Sequence, residues 1–279
     1  MALILTHEKT DFDAVASQLG AKKLHPSAVA LLPHHLNRNV QQFLNLYWDS
    51  LPFVRATDWR RRQVDEVILV DDSSTDATVN LARSLDVDVV WHPHQVGYGG
   101  NQKTCYLEAL QRGADVVVML HPDGQYEPGL IPSMIGPIID GEADLVLGSR
   151  LLVPGWALDA GMPRWKFIAN RFLTTIQNKI MGTDLSEAHT GYRAYSRELL
   201  LTVPFLRNSL DFVFDAELLY QASHMGFRIT EVPARCRYFD EMSSVGFKVG
   251  VIYGTKTLWS GLRLILHRNR MLPARKFRR

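Results

Sequence analysis

The sequence is short of the features that mark secreted or membrane-spanning proteins. It has two cysteines, Cys105 and Cys236, which are far apart and form no Cys-x-x-Cys pair. This usage predicts buried thiols in a reducing compartment rather than a disulfide framework or a zinc site. No apolar run approaches the roughly 20 residues that cross a bilayer. The first 20 residues also lack a basic stretch followed by an apolar one, so we expect a cytoplasmic protein.

Acidic residues are missing from the C-terminal end. No Asp or Glu follows Glu241, whereas nine Lys and Arg residues do, so a chain of net charge +2 has a body of net charge −7. The stretch Val249–Leu266 also carries apolar residues at helical spacing. This amphipathic, basic pattern is typical of a helix at an anionic membrane surface. A helix docked on the body with a solvated basic end explains the same pattern, and both alternatives stay open.

Short apolar runs alternate with helical periods between Ser27 and Arg150. The runs are Ala28–Leu32, Glu66–Val70, Val87–Trp91, Asp115–Leu120 and Asp144–Leu147. Nearly continuous apolar strands separated by helices predict an α/β fold, with a Rossmann-like open, mostly parallel sheet and helices on both faces. Asp76 and Asn101 are predicted helix caps. We predict an N-terminal helical extension over residues 1–26, one large domain over 27–241 and a helical basic tail over 242–279.

Polar residues follow each predicted strand. They include Pro33, the pair Asp71 and Asp72, Asp123, and Arg150. An open α/β sheet binds ligands beyond the carboxyl ends of its strands, so we expect a binding crevice along this edge. Loops are polar in any case, but that does not explain the acidic residues that come together here.

Several short motifs occur in a fixed order along the chain. They are Asp71-Asp-Ser-Ser-Thr-Asp-Ala-Thr78, Gly97-Tyr-Gly-Gly100, Asp123-Gly-Gln125, Gly148-Ser-Arg150, Thr190-Gly-Tyr-Arg193 and Glu231-Val-Pro233. In this order they resemble the motifs of inverting family-two glycosyltransferases, and within that group the dolichyl- or polyprenyl-phosphate mannose and glucose synthases. The resemblance covers about Ala28 to Tyr238.

The resemblance implies a GT-A fold, a nucleoside diphosphate sugar as donor, and transfer of a hexose with inversion. The implied acceptor is a polyprenyl phosphate or another membrane-associated molecule, with the protein peripheral on the inner face of the cell membrane. The implied donor contacts are Pro33, Asp71, Asp72, Gly97, Gly100 and Lys103. A glycine cluster before a helix lets backbone N–H groups approach a phosphate, although a tight turn has the same composition.

The resemblance also implies a divalent cation, Mg²⁺ or Mn²⁺, on the donor diphosphate. Asp123 and Gln125 are the predicted ligands. Here the sequence departs from the family, because His121 stands where an aspartate is usual. His121 is either a ligand, which would favour Mn²⁺, or a neighbour that hydrogen-bonds Asp123 or a phosphate. The family's Pro-x-Tyr-Asn-Glu motif is also altered, to Pro33-His-His-Leu-Asn37.

The acceptor determines which residues the reaction needs. A hydroxyl acceptor requires a general base, for which Asp215 and Glu217 are the candidates. A lipid phosphate requires none, and Arg193 would then help to hold it. Arg150 is predicted to bind a phosphate through its bidentate guanidinium. A GT-A domain that has lost turnover and acts as a scaffold is the alternative. A sugar nucleotidyltransferase would favour a glycine-rich basic loop after the first strand, which is not present.

Overall fold

The computed structural model describes residues 66–76, 78–84, 87–121, 123, 125–236 and 246–278, the short strands at 3–4, 29–32 and 53–55, and the helical residues Lys23 and Val40. The chain forms two compact units, Met1–Val67 and Ile68–Arg279. Pro33, Asn37 and both predicted domain boundaries lie outside the described residues.

Five of the nine described strands lie on the apolar runs given above, whereas the first lies within the predicted N-terminal helical extension. The strands are β1 (Leu3–Ile4), β2 (Val29–Leu32), β3 (Phe53–Arg55), β4 (Ile68–Asp71), β5 (Asp88–Trp91), β6 (Val116–Met119), β7 (Leu145–Ser149), β8 (Arg193–Ser196) and β9 (Ile229–Pro233). The strands β1, β2 and β3 pair in parallel, as do β4 and β5. A third sheet has the order β6-β8-β7-β9, in which β9 is parallel to β7 and β8 is antiparallel to both neighbours. The predicted α/β class is confirmed.

Helices alternate with these strands. They are α1 (Thr78–Ser84), α2 (Tyr98–Gln111), α3 (Ile131–Ile139), α4 (Trp156–Asp159), α5 (Arg164–Met181), α6 (Arg197–Thr202), α7 (Phe214–His224) and α8 (Phe247–Arg268). Asp76 caps α1 as predicted, because its carboxylate accepts a hydrogen bond from the Thr78 N–H at 3.0 Å. Asn101 does not cap α2. The helix begins three residues earlier, and the Asn101 side chain donates to the Val70 carbonyl at 3.1 Å.

The C-terminal segment is part of the main hydrophobic core. Leu264, Ala274 and Phe277 are buried in the same cluster as the side chains of α2, α7 and β7. Arg207 also donates to the carbonyl of Arg275 at 2.6 Å. The tail is therefore docked on the body, because its basic end is fixed by apolar burial and backbone hydrogen bonds. Membrane binding by the exposed side of its helix stays a prediction. Among the described helices, none combines the length and apolar character that a membrane span requires.

Candidate active site

The strand β4 ends at Asp71, and Asp72 follows it. Both carboxylates accept hydrogen bonds from backbone N–H groups of the chain. Asp71 is 3% exposed, and its Oδ2 accepts a hydrogen bond from the Ser74 N–H at 3.0 Å in an Asx turn. The two oxygens of Asp72 accept from the N–H groups of Val96 at 2.7 Å and Gly97 at 3.0 Å. Asp72 thereby holds the two residues that precede α2. Its predicted role as a donor contact stays a prediction.

The glycines that open α2 pack against the segment 208–212. A Cβ on Gly97 would lie 2.7 Å from the Leu210 carbonyl oxygen, and a Cβ on Gly99 would lie 2.3 Å from the Ser209 carbonyl oxygen. Gly97 has a φ of +80°, which glycine adopts far more readily than other residues. The Gly99 N–H donates to Leu210 at 2.8 Å. Backbone packing therefore requires these glycines, and the Gly99 amide is not available to a donor phosphate.

Gly100 and Lys103 also have contacts within the chain. A Cβ on Gly100 would lie 2.8 Å from Cγ2 of Val96, so its small size serves the turn before α2. The Lys103 ammonium donates to the Asn208 carbonyl at 2.5 Å. Burial and the neighbouring Lys276 lower the pKa of Lys103. Lys103, which the sequence suggests as a phosphate contact, instead ties α2 to the segment 208–212.

Asp215 lies in the first turn of α7 and is bonded to the hydroxyl of Tyr98. Tyr98 donates to Asp215 Oδ2 at 2.7 Å and accepts from the Gln102 amide at 2.9 Å. The His121 ring stacks beside Tyr98, with Nε2 3.4 Å from the hydroxyl oxygen. Burial, and then the charge of Asp215, raise the pKa of Tyr98 well above its usual value. The second oxygen of Asp215, Oδ1, is buried and has no hydrogen-bond partner among the described residues.

Arg193 is enclosed behind Asp215. It is 1% exposed, and it donates to the carbonyls of Thr190 at 2.8 Å, Asp215 at 3.0 Å and Ala188 at 3.1 Å. Three backbone acceptors surround a guanidinium that no acceptor molecule can reach in this conformation. The role of Arg193 in holding an acceptor phosphate stays a prediction. Arg193 fixes the turn 188–190 against the start of α7, and this is why it is buried.

Glu217 is the other candidate base, and it is part of a buried ion pair. Its carboxylate accepts from the Ser209 N–H at 2.6 Å and pairs with the Lys276 ammonium, while Glu217 itself is 4% exposed. These partners leave the carboxylate unable to reach a substrate hydroxyl. The structure therefore does not support Glu217 as a general base, because the C-terminal segment covers and neutralises it.

Arg150 follows β7 and is bonded to a buried carboxylate that the sequence analysis did not identify. The Arg150 Nε donates to Glu187 Oε1 at 2.9 Å, its backbone N–H donates to Oε2 at 2.8 Å, and Asn170 donates to Oε1 at 2.8 Å. Burial opposes the charge of Glu187, but Arg150 lowers its pKa below the usual value. The only sequence signal for Glu187 was an acidic residue inside the motif-bearing stretch before Thr190-Gly-Tyr-Arg193.

His189 lies one residue before that motif and contacts α8. Its Nδ1 is 2.7 Å from the Tyr253 hydroxyl, whereas its buried Nε2 has no hydrogen-bond partner in the described part of the chain. Burial lowers the pKa of His189 to about 4, so the ring is neutral at pH 7. His189 therefore links α8, through Tyr253, to the motif Thr190-Gly-Tyr-Arg193 that follows it in the chain.

The predicted metal ligands follow β6 and do not form a complete cluster by themselves. Asp123 is exposed, and its Oδ1 accepts from the Gln125 N–H at 3.0 Å. The His121 ring points at Tyr98 and at Gly191, where a Cβ would lie 2.6 Å from Nε2. Within the described residues, no group of three His, Cys, Asp or Glu side chains could hold a metal ion.

This donor set fits a cation that binds mainly to its substrate. Mg²⁺ takes one or two protein carboxylates and completes its octahedron with water and substrate phosphates, and oxygen ligands also suit Mn²⁺. Asp123 supplies one accessible carboxylate and Gln125 one amide oxygen. The contacts of His121 favour the role of a neighbour over that of a ligand.

The fold and the strand-end motifs together define a glycosyltransferase of the GT-A class. The model of the family described as "Glycosyl transferase family 2" matches residues 53–203, more than half of the chain. The chain therefore belongs to glycosyl transferase family 2, and the predicted resemblance is confirmed.

Two relatives are named as sugar transferases of a polyprenyl phosphate. The chain is 30% identical over 217 residues to the undecaprenyl-phosphate mannosyltransferase of Micrococcus luteus, covering 71% of this chain and 86% of that protein. It is 33% identical over 181 residues to the dolichyl-phosphate hexose transferase of Haloferax volcanii, covering 64% of this chain and 71% of the relative.

Solved structures share the fold. Glucosyl-3-phosphoglycerate synthase from Mycobacterium tuberculosis, in complex with Mn²⁺, UDP-glucose and phosphoglyceric acid, superimposes with a TM-score of 0.53 at 19% identity. The match covers 94% of this chain and 86% of that one. At this identity the likeness establishes the GT-A fold alone.

Proposed function

We propose that the protein transfers a hexose from a nucleoside diphosphate sugar, with inversion at the anomeric carbon, to the phosphate of a polyprenyl lipid. Membership of glycosyl transferase family 2 and the names of the two relatives support this activity. The observation that carries the choice of acceptor is the state of the two candidate bases. Glu217 is ion-paired with Lys276, and Asp215 is bonded to Tyr98.

A phosphate acceptor removes the need for a base. A phosphate monoester has its second pKa near about 6, so at neutral pH it is already an anionic nucleophile. One of its oxygens attacks the anomeric carbon, and the bond from that carbon to the diphosphate oxygen breaks. The electron pair leaves with the nucleoside diphosphate, and no proton has to move. A hydroxyl acceptor would require a base. Both oxygens of Glu217 are occupied by Ser209 and Lys276, so only Asp215 has an oxygen without a partner among the described residues.

Asp215 has a different role in this proposal. A buried carboxylate oxygen without a partner is costly, so Oδ1 calls for a hydrogen-bond donor. The hydroxyl groups of a hexose are neutral donors of this kind. We therefore assign Asp215, oriented by Tyr98 and Arg193, to the sugar of the donor rather than to proton transfer.

A cavity beside Arg150 suits the acceptor. Its volume is about 410 Å³, and it is lined by Arg150 and Arg171 together with apolar side chains of the 151–158 segment and Phe167. Two guanidinium groups next to apolar walls match a phosphate that is attached to a hydrocarbon chain. Glu187 fixes the orientation of Arg150, so the arginine needs little reorganisation to meet a phosphate.

The divalent cation of the proposal belongs with the donor. Asp123 and Gln125 would hold it, and when bound it would stabilise the negative charge that develops on the leaving diphosphate. Pro33 stays a proposed donor contact, as does Asp71, whose Oδ1 has no assigned role.

The test is a transfer assay with purified protein. Undecaprenyl or dolichyl phosphate in detergent is incubated with radiolabelled UDP-glucose, UDP-N-acetylglucosamine or GDP-mannose and with Mg²⁺ or Mn²⁺. We expect label from one donor to enter the organic phase as a lipid phosphate ester, and EDTA to abolish the transfer. Label that stays in the aqueous phase with every donor and both lipids would contradict the proposal.

The alternative is a scaffold that binds nucleotide sugars without turnover. The contacts of Gly99 and Lys103 with the segment 208–212 favour it, because both groups are then withheld from the donor. Donor hydrolysis with Mn²⁺ separates the two functions. A thermal shift with nucleoside diphosphates but no hydrolysis and no transfer would identify the scaffold.

A further inference from the structure

Two helices on one side of the molecule contain no acidic residue. They are α5 (Arg164–Met181) and α8 (Phe247–Arg268), and together they carry eight cations. The cations are Arg164, Lys166, Arg171, Lys179, Lys248, Lys256, Arg263 and Arg268. The helices have 18 and 22 residues, and all of their charged side chains are basic, in a chain that has 29 Asp and Glu. Lys256 is paired with Asp211 of the segment 208–212, and the other seven cations leave the surface of these helices positive.

The two helices lie side by side and run in the same direction. The α8 glycines at 250, 254 and 261 face Trp165, Leu173 and Ile180 of α5 in the same chain order. A Cβ on Gly254 would lie 3.3 Å from Leu173, so this contact is close. The two helices also bury comparable faces: Asn170, Thr174, Gln177 and Met181 on α5, and Thr257, Ser260 and Leu264 on α8.

The opposite faces of both helices expose large apolar side chains. On α5 these are Ile168, 66% exposed, and Phe172, 60% exposed. On α8 they are Ile252, 53% exposed, and Trp259, 58% exposed. At about 100° per residue, each pair lies on the side of its helix turned away from the buried residues. Because the helices are parallel neighbours on one core, the two apolar stripes face the same way. We call this surface the α5–α8 face.

We propose that the α5–α8 face docks the protein on an anionic lipid surface, with Ile168, Phe172, Ile252 and Trp259 entering the interface between headgroups and acyl chains. Apolar side chains flanked by lysine and arginine are what such an interface binds, and each nearby cation adds to the attraction. The inference deepens the proposed function, on whose lipid acceptor it rests. It also moves membrane binding away from the terminal basic cluster, which the core holds.

A second copy of the chain fits this face poorly. A symmetric dimer would set the cations of the two copies against each other. In each copy, within the part of the chain that the structure describes, only Lys256 of these cations is in an ion pair, with Asp211. Like charges across an interface are unfavourable. The lipid surface is further favoured by the cavity of the proposed acceptor. Its lining residues Phe167 and Arg171 also belong to α5, about 100° around the helix from Ile168 and Phe172.

The test is co-sedimentation of the full chain with vesicles. Vesicles of phosphatidylcholine alone are compared with vesicles that also contain phosphatidylglycerol. We expect binding to the anionic vesicles only. Phe172→Ser with Trp259→Ser should lower the partition coefficient at least about tenfold, because most of the inserted apolar surface is lost. Ile139→Ser with Leu201→Ser is the matched control, since those residues are 66% and 62% exposed on other helices, and it should bind like the wild type.

Several outcomes would overturn the proposal. Wild-type binding by the Phe172→Ser/Trp259→Ser protein would do so, and so would equal loss in the control pair. A wild-type dimer that this double variant turns into a monomer would assign the face to a second copy instead. All variants change exposed side chains, and thermal unfolding confirms that they fold. Donor hydrolysis and transfer to a detergent-dispersed lipid phosphate are measured separately. Transfer in detergent without vesicle binding contradicts membrane docking by the α5–α8 face and leaves the proposed function intact. Vesicle binding without transfer contradicts the proposed function and leaves the docking proposal intact.

Discussion

The polar side chains around the first turn of α7 fall into two regions. The regions differ in how many of their buried polar atoms have a hydrogen-bond partner. In the first, Glu217, Ser209 and Lys276 bond to one another, and we call this group the clamp. In the second, Asp215 Oδ1 and His189 Nε2 are buried without a hydrogen-bond partner among the described residues. Native chains pair nearly all buried polar atoms, so the exceptions need an explanation. The clamp has the character of a structural element, and the second region has that of a ligand site.

This comparison separates residues that the motifs alone group together. Asp215 and Glu217 are two residues apart on one helix, and both are candidate bases by sequence. Their surroundings give them different functions, because Lys276 is close to one of them and Tyr98 to the other. The following predictions test whether the division is correct.

The largest effect is expected in the clamp. Glu217→Gln removes one partner of a buried ion pair and leaves the Lys276 ammonium uncompensated. The free energy of unfolding should fall by about 3 kcal/mol, as is typical when such a pair is broken. Lys276→Met should cost a similar amount. The double variant should lose clearly less than the sum of the two, because no charge is then left unpaired. Urea unfolding measures all three proteins.

Activity distinguishes a clamp from a base. Folded Glu217→Gln protein should transfer hexose at a rate within a few-fold of the wild type. A collapse of turnover with intact donor binding would instead make Glu217 a catalytic base and the acceptor a hydroxyl.

The second prediction concerns pH in the unsatisfied region. Burial lowers the pKa of His189 to about 4 from its usual value near 6.5. The unfolded chain therefore takes up this proton at a higher pH than the folded protein. The contribution of His189 to stability is complete above pH 6.5 and is lost as pH falls towards about 4, by up to about 3 kcal/mol. His189→Gln should flatten the pH dependence of the unfolding free energy in this window. An unchanged slope in the variant would show that another group titrates there.

The sequence predicts five of the nine described strands, those with a nearly continuous apolar composition of their own, and it does not predict β1, which lies in the predicted helical extension. The run Asp144–Leu147 became β7, which is buried at all five of its residues. The alternation of strands and helices and the order of the motifs were enough to identify the α/β class and the family. Those patterns extend over only a few neighbouring residues each, which a single sequence displays directly.

The site was less predictable because its contacts join residues far apart in sequence. Asp72 accepts from the Val96 N–H 24 residues away, and Lys276 reaches Glu217 across 59. A sequence shows that each of these residues is charged, but it does not show which partner neutralises it. Glu187 was missed for this reason, although it positions Arg150. Motif matching therefore identifies the charged residues of this region, whereas their partners are visible only in the structure.

The third prediction concerns Asp123, the exposed carboxylate beyond β6. Asp123→Asn should lower turnover of the donor by at least about 100-fold, since the lost charge would otherwise support the cation on the leaving diphosphate. Stability should hardly change, because the side chain is exposed and bonded only to the adjacent loop. Asp159→Asn changes another exposed carboxylate and serves as the control. Activity of Asp123→Asn within a few-fold of the wild type would mean that the cation is held elsewhere.

The smallest effect is expected at Tyr98, which joins the two regions through α2. Tyr98→Phe removes the donor to Asp215 Oδ2 and the acceptor for Gln102, so two buried polar groups lose their partner. The cost should be about 1–2 kcal/mol in unfolding free energy. Tyr106→Phe is the matched control, because its buried hydroxyl lies beside the hydroxyl of Tyr195 and is bonded to no carboxylate, so it should cost clearly less. If Tyr98 orients Asp215 for the sugar, Tyr98→Phe should also raise the KM for the donor several-fold while kcat changes little. A merely structural Tyr98 would lower stability and leave that KM unchanged, and Asp215 would then lose its assigned role.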